Sequence, residues 1–510
     1  MCFVQGLEQS SEVQGQSGYE HCIMWTDLLI VVLYAACLAG LGAWGVHRLL
    51  LLAWLRHEPK PLATAPAPAL PVLVQVPVFN EAAVIARVID AVAQLHWPTL
   101  RIQILDDSND DTVHLARERV RHWRAQGVEI SHVQRSSRVG FKAGALAHGM
   151  TLDDAPLICV FDADFVPDPE FIHRMAPALS DPSVGMVQAR WTHLNRNARL
   201  LTRVEALMLD GHFVIEHTAR YRRGLFFNFN GTAGIWRRTA ITSAGGWAHD
   251  TVTEDLDLSY RAQLEGWRFV YADDITAPAE LPATVRAFLT QQHRWAKGTA
   301  QTARKLWRPL LRARLPWPTK LEALNHLTMV AAYPLVFLLA VLLPLSVAAR
   351  STVLSSDWAW LDALAILATT GSISVFYGQA LSRGGHAVHT RWWEIPAAMA
   401  TGIGCSASQT LAVLEGLVSD DATFERTPKR GSERRVRTVS SAPWMRTGLT
   451  TAMAVYYTMG LAWAVVNGWW LSLPFMALFA AGFIGVSLSL WLEGQRAAES
   501  AGMDALPATK

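Results

Sequence analysis

The sequence predicts an α/β domain set between membrane-spanning α-helices. Apolar stretches long enough to cross a bilayer stand near both ends, and a region of ordinary soluble composition separates them. Within that region strand-like apolar runs alternate with helical ones, the pattern of a mainly parallel sheet covered on both faces.

The first apolar stretch, "LLIVVLYAACLAGLGAWGV" from Leu28 to Val46, matches the ~20 residues that a crossing needs. It is too long for a signal-peptide core and lacks a cleavage site, so a retained helix is expected. Further spans are expected at Leu327 to Ala349, Leu361 to Leu381, Gly448 to Val466 and Leu471 to Leu492. Glu8, Glu12 and Glu20 precede the first span without any Lys or Arg, whereas Arg48, Arg56 and Lys60 follow it. This asymmetry, and the basic run "RKLWRPLLRARLPWPTK" from Arg304 to Lys320, put the soluble region on the cytoplasmic side.

Parity then bears on Trp392 to Leu417. A crossing there would put Arg426, Lys429, Arg430, Arg434, Arg435 and Arg437 outside, against the positive-inside bias. An interfacial or re-entrant helix is therefore expected at 392–417, and about five spans in all. The chain divides into an N-terminal membrane segment (1–60), a soluble domain (61–310) and a C-terminal membrane region (311–510). "KPLATAPAPALP", Lys60 to Pro71, is the extended linker that leads into the soluble domain.

Half of the 510 residues are apolar and the formal charge is only +2, which argues against nucleic acid as a partner and leaves the lipid bilayer. The five cysteines, Cys2, Cys22, Cys37, Cys159 and Cys405, are scattered and show neither zinc-site nor disulfide spacing.

In the soluble region "VLVQVPVF", "RIQILDD", "EISHVQR" and "LICVFDAD" read as strands, and "EAAVIARVIDAVAQL", "DTVHLARERVRHWRAQ" and "KAGALAHGM" as helices. Ligands of such sheets bind beyond the carboxyl ends of the strands, where Asp106, Asp107, Asp162 and Asp164 lie. Converging carboxylates repel one another unless they meet donors or a cation, and hard oxygens suit Mg²⁺ or Mn²⁺ with a phosphate-bearing substrate. A lone D-x-D equally fits a solvated turn, and "DLD" at Asp255 to Asp257 supplies a second one.

More telling is the order of "QVPVFNE", "ILDDS", "GFKAGAL", "FDADFVP", "QARW", "FNGTAG", "TVTEDLDLSYRAQLEGW" and "QQHRWAKG". With these motifs, Val74 to Leu306 resembles the processive family 2 glycosyltransferases, cellulose-synthase-like enzymes that include the mannan and glucomannan synthases and their bacterial relatives. The resemblance implies a cytoplasmic GT-A (Rossmann-like) domain between membrane helices. It also implies inverting transfer of hexose from a nucleotide sugar, GDP-mannose or UDP-glucose, to a growing β-glycan that the membrane region passes on.

Carried over by motif, Pro77, Asn80 and Glu81 form the first nucleotide-binding turn, Asp106 and Asp107 lie beside base and ribose, and Lys142 lies near the donor. Asp162 and Asp164 bind the metal, Mg²⁺ or Mn²⁺, and the diphosphate. Asp255 of "TED", with Thr253 and Glu254, is the general base, because a sugar hydroxyl is a poor nucleophile until a carboxylate takes its proton. "T-E-D-L-D" is also an acidic helix start in its own right.

Gln291 and Arg294 bind the donor, Arg294 at its diphosphate, Trp295 stacks beneath the acceptor sugar, and Asn230, Gly231 and Thr232 line the acceptor end. Trp191 and Trp247 are weaker candidates that fit packing as well. "FERTPK" matches the F-x-x-T-x-K of a gating loop at 423–435, in which Phe424, Thr427 and Lys429 close over the donor. Fewer spans than in the larger cellulose synthases, and no recognisable cyclic-dinucleotide-binding domain, leave room for accessory secretion subunits. The chain is expected in a bacterial inner membrane. Two other readings stay open: a non-processive transferase acting on a lipid acceptor, and a scaffold subunit without catalysis.

Overall fold

The computed structural model describes residues 2–58, 69–353, 367–421 and 443–504. Its soluble part is built on a seven-stranded sheet. The strands are β1 (Val72–Val78), β2 (Leu100–Asp106), β3 (Ile130–Gln134), β4 (Leu157–Val160), β5 (Val184–His193), β6 (Gly234–Arg237) and β7 (Arg268–Ala279). Their order is β3-β2-β1-β4-β6-β5-β7, and β6 alone runs against the others.

Alternation along each strand makes both faces of the sheet apolar. In β4, Leu157 and Cys159 enter one core with Val72, Val74 and Val76 of β1, while Ile158 and Val160 enter another with Trp236 and Phe269. Gln75 and Gln103 interrupt the second face and are tied in through their amide nitrogens. They bond each other at 3.1 Å and donate to Leu146 O and Gly149 O of the helix Phe141–Thr151.

Helices Ile85–Ala93, Thr112–Ala125 and Phe141–Thr151 follow β1, β2 and β3, as the alternation predicts. The first starts later than "EAAVIARVIDAVAQL" suggested, because residues 82–84 form a turn before it. Asn80 takes a left-handed φ of 58° just ahead of that turn.

Among the described residues, five helices are long and apolar enough to cross a membrane: Met24–Trp54, Trp317–Arg350, Glu394–Val418, Thr447–Val466 and Leu473–Arg496. The soluble domain thus lies in sequence between membrane helices, and the chain is a multi-pass membrane protein. This set differs from the expected one in a single member. Leu361 to Leu381 is described only from residue 367 on, as Leu367–Gly371 and Ser372–Arg383, whereas Glu394–Val418 forms a continuous helix.

Glu394–Val418 is held at both ends by the soluble domain. At its start Arg196 meets Glu394 at 3.0 Å. At its end Gln301 donates to Ser419 O at 3.2 Å, Arg304 donates to Leu417 O at 3.2 Å and His293 meets Glu415 at 3.1 Å. The last three donors all belong to the helix Val285–Arg312.

Candidate active site

One cavity opens at the carboxyl ends of β1, β2 and β4, where the topology of a mainly parallel sheet places ligands. Pro77 near the end of β1, Glu81 after it, Asp107 after β2 and Asp162 and Asp164 after β4 line it. Lys142 reaches in from the start of the helix Phe141–Thr151, and Asn230 and Gly231 come from the loop before β6. Thr253, Glu254 and Asp255 open the helix Glu254–Leu264, and Gln291, Arg294 and Trp295 lie on one stretch of Val285–Arg312.

Three of the expected residues do not line this cavity. Asp106 is buried, takes a hydrogen bond from Ser108 N and pairs with His132 at 2.8 Å; burial pushes its carboxyl up, but these bonds outweigh it and hold it low. Asn80 bonds Ser108 and Asn109 and ties the β1 turn to the β2 turn. Thr232 is fully buried, and its hydroxyl accepts from Asp162 N at 2.8 Å, which fixes the first carboxylate of the D-x-D pair. Phe424, Thr427 and Lys429 lie outside the described residues. Of the two tryptophans left open, Trp191 lines the cavity, and Trp247 is core that packs on Trp236.

Lys142 holds the centre together. Its ammonium donates to Asp162 Oδ1 at 2.5 Å and to Gly231 O at 2.9 Å, and lies 3.9 Å from Glu254. Burial alone lowers the affinity of an amine for its proton, but Asp162, Glu254 and Asp255 outweigh burial, so Lys142 stays charged. Burial lowers the pKa of Arg294 below its usual value, opposed by Glu254, Asp162, Asp255 and Asp164.

The carboxylates answer differently. Burial and the neighbouring Glu254 charge push Asp255 up to about 7, against the pull of Lys142. Burial also raises Glu254. Thr253 starts this helix without a side-chain cap, and its hydroxyl meets Thr302 at 3.3 Å. Gly231, at φ 80°, lies so close that an added Cβ would stand 3.0 Å from Asp255 Oδ2 and 3.2 Å from Lys142 Nζ.

Among the described residues no group of three His, Cys, Asp or Glu could hold a metal ion. Asp162 and Asp164 nevertheless fit a divalent ion of the Mg²⁺ or Mn²⁺ kind, which takes one or two carboxylates and draws its other oxygens from phosphate and water.

Sequence reasoning missed two parts of the cavity wall. Arg138 lies over the Phe79 ring at 3.4 Å and over Phe141 at 4.9 Å, a stacked guanidinium beside Asp107, which itself pairs with Arg135. Phe141 holds a positive φ of 49° there, a conformation that costs a bulky residue ~1–3 kcal/mol and clusters at functional sites. At the other end stand His193, Leu209 and Glu280. The position of Arg138 beside the K-A-G motif was a usable signal; nothing in local spacing marked His193 or Glu280.

Residues 157–349 match the family model described as glycosyl transferase family group 2. A probable glucomannan 4-beta-mannosyltransferase of Oryza sativa subsp. japonica is 46% identical over 250 residues, 48% of this chain and 43% of that protein. Glucomannan 4-beta-mannosyltransferase 2 of Arabidopsis thaliana is 43% identical over 263 residues, 50% of this chain and 49% of the relative. The chain thus spans about half the length of the curated relatives it matches. A mannosyltransferase from Pyrobaculum calidifontis, solved with GDP-Man and Mn²⁺, superposes with a TM-score of 0.53 at 21% identity, over 77% of this chain and 99% of its own. That likeness shows the fold, the GT-A-type α/β arrangement.

Proposed function

We propose that this chain, whose residues 157–349 match the family model described as glycosyl transferase family group 2, is a membrane-embedded inverting β-hexosyltransferase that extends a β-linked glycan from a nucleotide sugar. The observation that carries this reading is the convergence, in one cavity, of the paired Asp162 and Asp164, the cations Lys142 and Arg294, the raised carboxyl of Asp255 and the indole of Trp295.

Arg294 and Lys142 face the side where a diphosphate would lie and offset its charge, and Trp295 offers a flat face to a pyranose. Asp255 takes the proton of the acceptor hydroxyl as its oxygen bonds to C1 of the donor sugar. The C1–O bond to the nucleoside diphosphate breaks from the opposite face, which inverts the anomeric centre. A divalent ion held by Asp162 and Asp164 would offset charge on the departing diphosphate.

GDP-mannose is the favoured donor because the relatives are named as mannosyltransferases, with UDP-glucose the second choice. Extrusion of the product past the membrane helices, a gating role for Phe424, Thr427 and Lys429, and residence in a bacterial inner membrane belong to the same reading. The interfacial placement of Glu394–Val418 belongs to it too, supported by the ties of both helix ends to the soluble domain.

The test offers membranes containing the protein a panel of labelled nucleotide sugars with Mg²⁺ or Mn²⁺ and digests the product with linkage-specific glycanases. A β-glycan is expected, most readily from GDP-mannose. A single-sugar lipid product would favour the lipid-acceptor transferase, and no transfer from any donor would favour a scaffold.

A further inference from the structure

Asn230 sits on the cavity wall next to Gly231, where an added Cβ would stand 3.0 Å from Asp255 Oδ2. Two neighbours fix it. Its backbone N–H donates to Gln188 Oε1 at 3.0 Å, and Gln188 is itself locked because its Nε2 donates to Ala189 O, Thr232 O and Ala233 O. Its side-chain Nδ2 donates to Nε2 of His212 at 2.9 Å. That imidazole nitrogen therefore accepts, and the ring proton sits on Nδ1, facing Glu216 Oε2 at 3.3 Å.

Burial pushes the Glu216 carboxyl up, but the His212 hydrogen bond and the Arg220 charge outweigh it and hold the group well below the usual carboxylate range. A carboxylate accepts only, so the His212 tautomer is set, and with it the direction of the Asn230 amide. The chain of contacts continues inward: Arg220 meets Glu216 at 3.4 Å and Glu322 at 2.9 Å, and Glu322 meets His47 of the first membrane helix at 2.7 Å. Arg220 is fully buried.

One consequence is that Asn230 Oδ1 is buried without a hydrogen-bond partner. It has company on the same wall, where Trp191 Nε1 and His193 Nε2 are likewise buried without a hydrogen-bond partner, His193 Nε2 lying 3.7 Å from Asp210 Oδ1. A buried, unpaired polar atom costs ~1–3 kcal/mol, and a wall that keeps several suits an occupant rich in hydroxyls.

We propose that His212 is a positioning residue which, backed by Glu216, Arg220, Glu322 and His47, turns the Asn230 amide so that its oxygen accepts from a hydroxyl of the acceptor sugar. The proposal rests on the transferase reading above. His212 touches neither donor nor acceptor; it acts through Asn230. The π-helical turn Gly211–His217, a geometry frequent at functional sites, brings His212 under the loop that carries Asn230.

The test uses the full chain in lipid nanodiscs, with β-1,4-linked mannohexaose or cellohexaose as acceptor, whichever the native protein extends. His212→Gln keeps an acceptor near the Nε2 position; His212→Asn keeps polarity toward Glu216 but withdraws the acceptor from Asn230, and His212→Leu removes both. The Asn and Leu variants should raise the acceptor KM about tenfold, a loss near 1.4 kcal/mol, with donor KM unchanged, and His212→Gln should stay within about threefold of the native value. Added to Asn230→Ala, His212→Asn should change the acceptor KM no further.

An unchanged acceptor KM in His212→Asn overturns the proposal, as does an equal rise in both KM values or an additive loss in the double variant. If His212→Leu does not fold, the Asn and Gln pair decides. Absence of transfer by the native protein would defeat the functional reading; transfer with an indifferent His212 would defeat this inference alone.

Discussion

Asp255 and Lys142 make opposite demands on the same few ångströms, and their balance sets when the site can work. In the proposed reaction Asp255 is the general base, which acts ionised, and burial with the Glu254 charge pushes it up to about 7. The rate should therefore rise with pH through about 7 and level off above it, as a pH profile of kcat at saturating donor will show. Asp255→Asn should lower kcat by ~10²–10⁴-fold, with donor affinity retained in a titration of the nucleotide sugar. Lys142 pulls the Asp255 carboxyl down, so Lys142→Met should move the rising limb to higher pH and weaken donor binding. At this level most of the cavity lining was legible, because the D-x-D, "TED" and Q-x-x-R-W motifs each keep their residues within one turn or one helix face. That Asp106, Asn80 and Thr232 stay off the cavity lining was not, because nothing in a motif says which of its members lines the cavity and which braces a neighbour that does.

Close helix approach is what aligns these groups, and glycines permit it at a few crossings. Gly298 of Val285–Arg312 lies against Thr253, where an added Cβ would stand 2.5 Å from Thr253 Cγ2. Gly298→Ala should cost ~1–3 kcal/mol of stability and push the start of the Asp255 helix, lowering Tm and kcat together in a melting curve and a single-turnover assay. In the membrane region an added Cβ on Gly404 would stand 2.3 Å from Gly482 O, and one on Gly482 would stand 2.4 Å from Ala400 O. Such small residues let helix backbones touch. Gly404→Val should lower the melting temperature in detergent, while Gly485→Ala, with nothing within 4 Å of its added Cβ, should leave it unchanged. The strands and helices themselves were readable from periodicity. These crossings were not, since a glycine in an apolar run looks the same whether it meets a neighbour or lipid.

Glu394–Val418 shows how position in the chain and position in space part company. Its length and composition allow a crossing, yet Arg196 holds its first residue and Gln301 and Arg304 hold its last turn, and all three donors stand on the soluble domain or the helix that carries Arg294. Single cysteines placed at His389 and at Ser419 should both be labelled from the side on which the soluble domain lies. Labelling from opposite sides would make this helix a true span. Hydropathy, charge asymmetry and ordered motifs, all local along the chain, suffice to read an α/β domain set between membrane helices and to name most of the polar residues that line its cavity. Contacts between distant segments arise only when the chain packs. The ring of His212 under Asn230, the stacking of Arg138 on Phe79 and the line of charges from Glu216 to His47 therefore appear in the folded structure and in no stretch of the sequence.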